Sequence, residues 1–184
     1  MNLRWESGCW SCDIALPTWA SMLDPRAGGL VSVAFNPEGS DENLRPTPEQ
    51  LKTLDHISEI QGELRIRVEG ALKAHYEEVR PRYLALATTH PRFFADFSAQ
   101  MPDAPSPEVF AALHKLDGIF IHPVIAGELA YVGFGFRAAW EVEHGVGVLV
   151  HDGRIVEVGN ADTALLQWIA EKDLEGATRG KDAG

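Results

Sequence analysis

The stretch that decides the fold is residues 119–164, IFIHPVIAGELAYVGFGFRAAWEVEHGVGVLVHDGRIVEVGNADTA. It reads as a β-meander that ends at a helix start. From Ala130 to Trp140 the pattern has a period of two. Val132, Phe134, Phe136, Ala138 and Trp140 share one face, and Tyr131, Gly133, Gly135 and Arg137 share the other. The reading places strands at Ile119–Val124 and Leu129–Glu141, joined by a turn at Ala126-Gly127-Glu128. A turn at Glu143-His144-Gly145 leads into a third strand with Val146, Val148 and Val150 on one face. Asp152-Gly153 is a two-residue hairpin signal before a fourth strand, Arg154–Val158. Gly159 to Asp162 then opens a terminal helix that carries Leu165, Leu166, Trp168 and Ile169.

Upstream of the meander lies the strongest helix start in the chain. Thr47 can cap, Pro48 suits the first helical position, and Gln50 can close a capping box. Leu51, Leu54, Ile57, Leu64, Val68, Leu72 and Val79 follow at helical spacing, with Ile60 and Tyr76 widening the stripe. This predicts a helix to about Val79, before Pro81, with a solvated face of Glu59, Glu63, Arg67, Glu69 and Lys73. Ser106-Pro107 opens a short helix through about Lys115, which would carry His114. Phe93, Phe94 and Phe97 are expected to form a helical turn against the core.

At the N-terminus, Trp10, Cys12, Ile14 and Leu16 alternate as a strand, and Leu30–Phe35 is its returning partner. Cys9 and Cys12 form a CxxC, but in a strand residues three apart face opposite ways. A redox site would sit at a helix N-terminus, and a zinc site needs two further ligands. Cys12 is therefore read as core and Cys9 as incidental. The fold class is α+β: an antiparallel sheet packed by one long helix and a C-terminal helix, as a single domain over 1–175, with 176–184 as a disordered tail.

The chain has 184 residues, 45% of them hydrophobic, and a net charge of -11 from 16 basic and 27 acidic residues. That balance argues against a nucleic-acid or anionic-membrane partner, because both need clustered Lys and Arg. It favours a basic protein partner or simple solubility. No apolar run approaches a membrane span and no secretory signal pattern is present, so a cytoplasmic setting is expected. There is no nucleophile elbow, HExxH or phosphate loop, and no cofactor is expected. The candidate binding surface is Glu141, Glu143 and His144, with His151 and Asp152 across the hairpin. Two carboxylates and a histidine could hold a metal or act as an acid–base set, yet the ligand count is short and no metal is assigned.

Pro46–Gln50, Tyr76, Val132-Gly133-Phe134, Phe136, Trp140, Glu143–Val148, Val158-Gly159 and Asp162-Thr163-Ala164 together resemble an uncharacterised bacterial domain family. Members of that family look like immunity proteins of polymorphic toxin systems. The CWSC segment is not part of the pattern. The resemblance implies a binding protein that blocks a cognate basic toxin through an acidic surface, and it carries over no catalytic residues. The alternatives are a small metal-binding protein or hydrolase using Glu141, Glu143 and His144, and a structural or scaffolding module.

One consequence of the cysteine reading is testable. Cys9→Ser should leave the thermal midpoint unchanged, whereas Cys12→Ser should cost about 1–3 kcal/mol by burying a hydroxyl. Stoichiometric zinc lost on replacing either cysteine would reverse the assignment.

Overall fold

The computed structural model describes residues 2–92 and 96–182. Its centre is a seven-stranded sheet whose spatial order follows the chain. The strands are β1 (Arg4–Glu6), β2 (Cys9–Ala15), β3 (Leu30–Phe35), β4 (His114–Ala126), β5 (Leu129–Ala138), β6 (Glu141–His151) and β7 (Arg154–Asn160). The helices are α1 (Pro48–Thr89), α2 (Phe97–Gln100), α3 (Pro107–Ala112), α4 (Asp162–Leu165) and α5 (Gln167–Asp182). The class is α+β, as expected. Five of the six pairings are antiparallel, while β3 and β4 run parallel. The long crossover through α1 brings the chain back in the same direction, which a hairpin cannot do.

Helix α1 begins as the sequence indicates. The Gln50 amide donates to Thr47 Oγ1 at 3.3 Å, and the Thr47 amide donates to Gln50 Oε1 at 3.0 Å. Leu54, Ile57, Leu64, Val68, Leu72 and Tyr76 form its buried stripe. Trp19, from a short 3-10 segment over Pro17–Met22, stacks on Phe134 at 5.2 Å and donates its indole N–H to the Gln61 carbonyl. The helix does not stop before Pro81 but continues to Thr89. Pro81 is exposed, so the backbone carbonyl it leaves unpaired is open to water. Beyond it, Tyr83 and Ala87 still pack on the core.

Several boundaries differ from the sequence reading. Trp140 is buried, yet it sits in a turn, and β6 starts at Glu141 rather than after Gly145. Between the pairs Phe136–Val146 and Ala138–Glu141, Arg137 of β5 stands opposite residues 142–145 of β6, so the extra residues bulge from β6 after an early turn at Ala139-Trp140. His114 opens β4 instead of ending a helix, because α3 stops at Ala112 and the Ala139 amide bonds the Leu113 carbonyl. Strand β1 was hidden by its length of three residues. Ser7 and Gly8, both at positive φ, turn it into β2. Helix α5 runs through residues 176–182, expected as a tail, with Glu175 and Arg179 paired one turn apart. Phe97 is buried in α2, whereas Phe93 and Phe94 lie outside the described residues.

The two faces of the sheet are covered differently. Helix α1 covers Val132, Phe134, Phe136, Val146, Val148 and Val150. On the other face Val124, Tyr131, Leu149, Ile169 and Ala170 form a smaller core under α5. Beside it the turn of α4 lies directly on the sheet. Gly135, Gly147 and Gly159 stand opposite one another in register across β5, β6 and β7. A Cβ on Gly133 would fall 1.9 Å from the Ala164 carbonyl oxygen, and one on Gly147 would fall 2.6 Å from the Ala164 nitrogen. Gly133 and Gly147 therefore make room for the short α4, while a Cβ on Gly135 would meet the Phe120 ring. His122, fully buried, holds the Ala164 carbonyl through Nε2 at 3.0 Å.

Gly133→Ala should accordingly cost about 3 kcal/mol or more, because only backbone stands in the way and it cannot step aside. Gly62→Ala, in open space on α1, should raise stability by about 0.5–1 kcal/mol. Chemical denaturation of both variants checks the pair, and equal effects would refute the close approach.

Candidate functional site

The sequence-derived surface is divided by the fold. Strand β6 carries Glu141, Glu143 and His144 at one end and His151 at the other, with Asp152 in the turn that follows. Glu143 and Asp152 are nine residue steps apart along an extended strand, roughly 30 Å at ~3.3 Å per residue. They cannot act on one ligand atom.

His151 and Asp152 belong to a cleft of about 590 Å³ between the first half of α1 and two hairpin turns. Lys52, Asp55, His56 and Glu59 recur at helical spacing and present one stripe of α1 to it. Ala126–Leu129 form the opposite wall. Asp152 takes a left-handed φ of 47° in the tight turn with Gly153, and its carboxylate meets His56 Nε2 at 3.2 Å. Lys52 pairs with Glu128, which holds that carboxyl below its ordinary range. His151 is a structural group: its ring stacks on Tyr131 at 4.5 Å, and Nε2 donates toward the carbonyls of Ala126 and Leu129 at 3.1 and 3.3 Å. Asp55 and Glu59 are exposed and form no ion pair or hydrogen bond among the described residues. Four carboxylates against one lysine make this cleft strongly acidic. Asp55 and Glu128 were missed as site residues, since the sequence shows only a solvated helix face and a turn.

At the far end of β6, Glu141 accepts a hydrogen bond from the Tyr83 hydroxyl. Burial, then that carboxylate, push the Tyr83 hydroxyl up to about 12. Continuing the alternation beyond Trp140 would put Val142 and His144 toward the core, but both point outward: Val142 is 74% exposed and the His144 side chain 68%. The early turn at Trp140 reverses the faces of these residues. His144 lies 3.9 Å from Glu143, itself exposed. Among the described residues no group of three His, Cys, Asp or Glu side chains comes together with metal-ligand geometry. Both cysteines are free, and burial raises both thiols, the reverse of what a redox CxxC requires.

Residues 12–165 match the model of a domain of unknown function, DUF6985. The chain belongs to this family. No curated protein and no solved structure matches it. The DUF6985 match begins within β2, at Cys12, and ends with α4, at Leu165. It thus spans the α1–sheet core, the acidic cleft and the glycine row with the turn that rests on it, while Cys9 and α5 fall outside.

Three histidines of this DUF6985 domain are held below their ordinary range mainly by burial. They are His75, His122 and His114, the last depressed to about 4. The His114 ring packs 4.8 Å from the Phe110 ring, and the Phe110 backbone only partly offsets the effect of burial. A histidine with a depressed folded pKa takes up its proton first in the unfolded chain. Its contribution is whole above about 6.5 and is lost as pH falls toward the folded value. Stability should therefore decline from pH 6.5 to 5, before ordinary carboxylates titrate. His114→Phe should flatten that limb in denaturant midpoints measured against pH, and an unchanged slope would assign the limb elsewhere.

Proposed function

We propose that the protein is a binding module of immunity type, which takes a basic protein partner at the acidic cleft between α1 and the hairpin turns. The observation that carries this reading is the convergence there of Asp55, Glu59, Glu128 and Asp152 from three separate segments. Two of these carboxylates already have internal partners and two do not. Unpaired carboxylates on a rigid helix are available to an incoming Arg or Lys without rearrangement. The net charge of -11 would speed encounter with a cationic surface, and the cleft would fix its register. The resemblance to toxin-neutralising proteins supplies the class of partner.

The Glu141–Glu143 end is the weaker contact face. Glu141 is engaged by Tyr83, and Glu143 is a lone exposed charge beside His144. The test is a pull-down from the native host with wild type, Asp55→Lys/Glu59→Lys and Glu141→Lys/Glu143→Lys, eluted by rising salt. A basic protein should be retained by wild type and by the β6 variant, and lost from the α1 variant. Association should weaken steeply with salt, since exposed charges are screened over ~8 Å at physiological ionic strength. Thermal midpoints of both variants should stay near wild type, as exposed charges contribute little to stability. Equal retention by all three proteins, or no basic protein retained, would sink the proposal.

A further inference from the structure

A second cavity of about 520 Å³ lies at the other end of the molecule, between the later turns of α1, the start of β6 and the end of β7. Its volume falls in the range of small-molecule sites, ~300–1,000 Å³. His75, Val79, Arg82, Tyr83 and Leu86 form one stripe along α1 and make a single wall. Most of that wall belongs to the part of the helix beyond Tyr76, its last fully buried residue. Here α1 adds only Val79, Tyr83 and Ala87 to the core. The opposite wall is Glu141, His144, Gly159 and Asn160. His144 stands in the bulge of residues 142–145 on β6, which ends at Gly145 with a φ of 66°, and Glu141 lies just before it in register with Ala138.

The chemistry of the lining is two-sided. Arg82 forms no ion pair among the described residues, so its fork of donors is uncommitted. Glu141 is fixed in place by the Tyr83 hydroxyl, yet a carboxylate accepts more than one hydrogen bond. Burial keeps His75 neutral at pH 7, so it adds no second positive charge to the wall. Val79, Leu86 and the Tyr83 ring give the space between an apolar surface. We propose that this cavity binds a small organic anion that also carries a hydroxyl or ammonium group. Arg82 takes the carboxylate or phosphate, and Glu141, held by Tyr83, takes the donor. This site is independent of the acidic cleft.

The full chain should be titrated with O-phospho-L-serine, L-serine and inorganic phosphate while the ring C–H resonances of His75 and His144 are followed by NMR. Saturable shifts of both histidines by at least one of the two amino acids are the expected result. Arg82→Gln and Glu141→Gln should each weaken that binding by about tenfold or more, the worth of one charge-assisted contact. Asp55→Lys/Glu59→Lys should leave it unchanged, which separates this outcome from the fate of the protein-partner reading. Binding of L-serine identifies the carboxylate as the anchor, and competition by inorganic phosphate identifies the phosphate. Folding of each variant is confirmed by its unperturbed His151 resonance. Absence of saturable shifts up to about 10 mM, or binding that needs Arg82 but not Glu141, would overturn the two-point site.

Discussion

The structure depends on a backbone-to-backbone approach that only glycine permits. Ala164, in the turn of α4, sits so close to Gly133 and Gly147 that a single methyl group on either would collide with main chain. That contact locks several things together. It sets the relative register of β5, β6 and β7, because a slip of one residue would put a side chain where the turn must lie. It also places His122 under the Ala164 carbonyl, where the imidazole Nε2 donates to it. Burial keeps that ring uncharged, and the neutral ring keeps the turn seated. The strings EHGVGV and VGNADTA are thus two halves of one packing device: one contributes space, the other the backbone that fills it.

With the meander fixed in register, the other face of the sheet becomes a regular apolar surface, and α1 can lie along it for most of its length. The helix then continues past the core at its C-terminal end, where Tyr83 reaches Glu141. At its N-terminal end the same helix passes the turns at Gly127 and Gly153, and Arg67 donates to the Gly153 carbonyl. One rigid element consequently borders both cavities. The local chemistry that differs between them comes from what the sheet presents: carboxylates from hairpin turns at one end, a bulged strand start at the other.

The parts legible in the sequence are those governed by periodicity and by local turn chemistry. The α1 stripe, its Thr47–Gln50 cap, the β2–β3 hairpin and the Asp152-Gly153 turn all depend on near neighbours. What was not legible depends on distance in the chain. The alternation through Trp140 continues smoothly in sequence, but the turn falls at Ala139-Trp140 and residues 142–145 of β6 bulge opposite Arg137, which leaves Val142 and His144 on the outside. Pro81 looked like a stop because its cost was visible and the packing of Tyr83 was not. The candidate site fared similarly. His151 and Asp152 do line a cleft, but their partners Asp55 and Glu59 come from a helix some ninety residues earlier. Nothing in an ordinary acidic helix face distinguishes the carboxylates that end up beside a hairpin.

Placement also decides which carboxylates are available to a partner. A glutamate such as Glu141, accepting a hydroxyl from a half-buried tyrosine, must break that bond and expose the tyrosine before it can turn toward a protein surface. Asp55 and Glu59 face no such competition. Their side chains rise from the first third of a 42-residue helix whose backbone is already fixed by the core. The ordering cost of an approaching cation then falls on the partner and on two short side chains. Charge count already favours the cleft, with four carboxylates against one lysine, and engagement widens the difference. What a partner can use is the charge left over after the fold has taken its share.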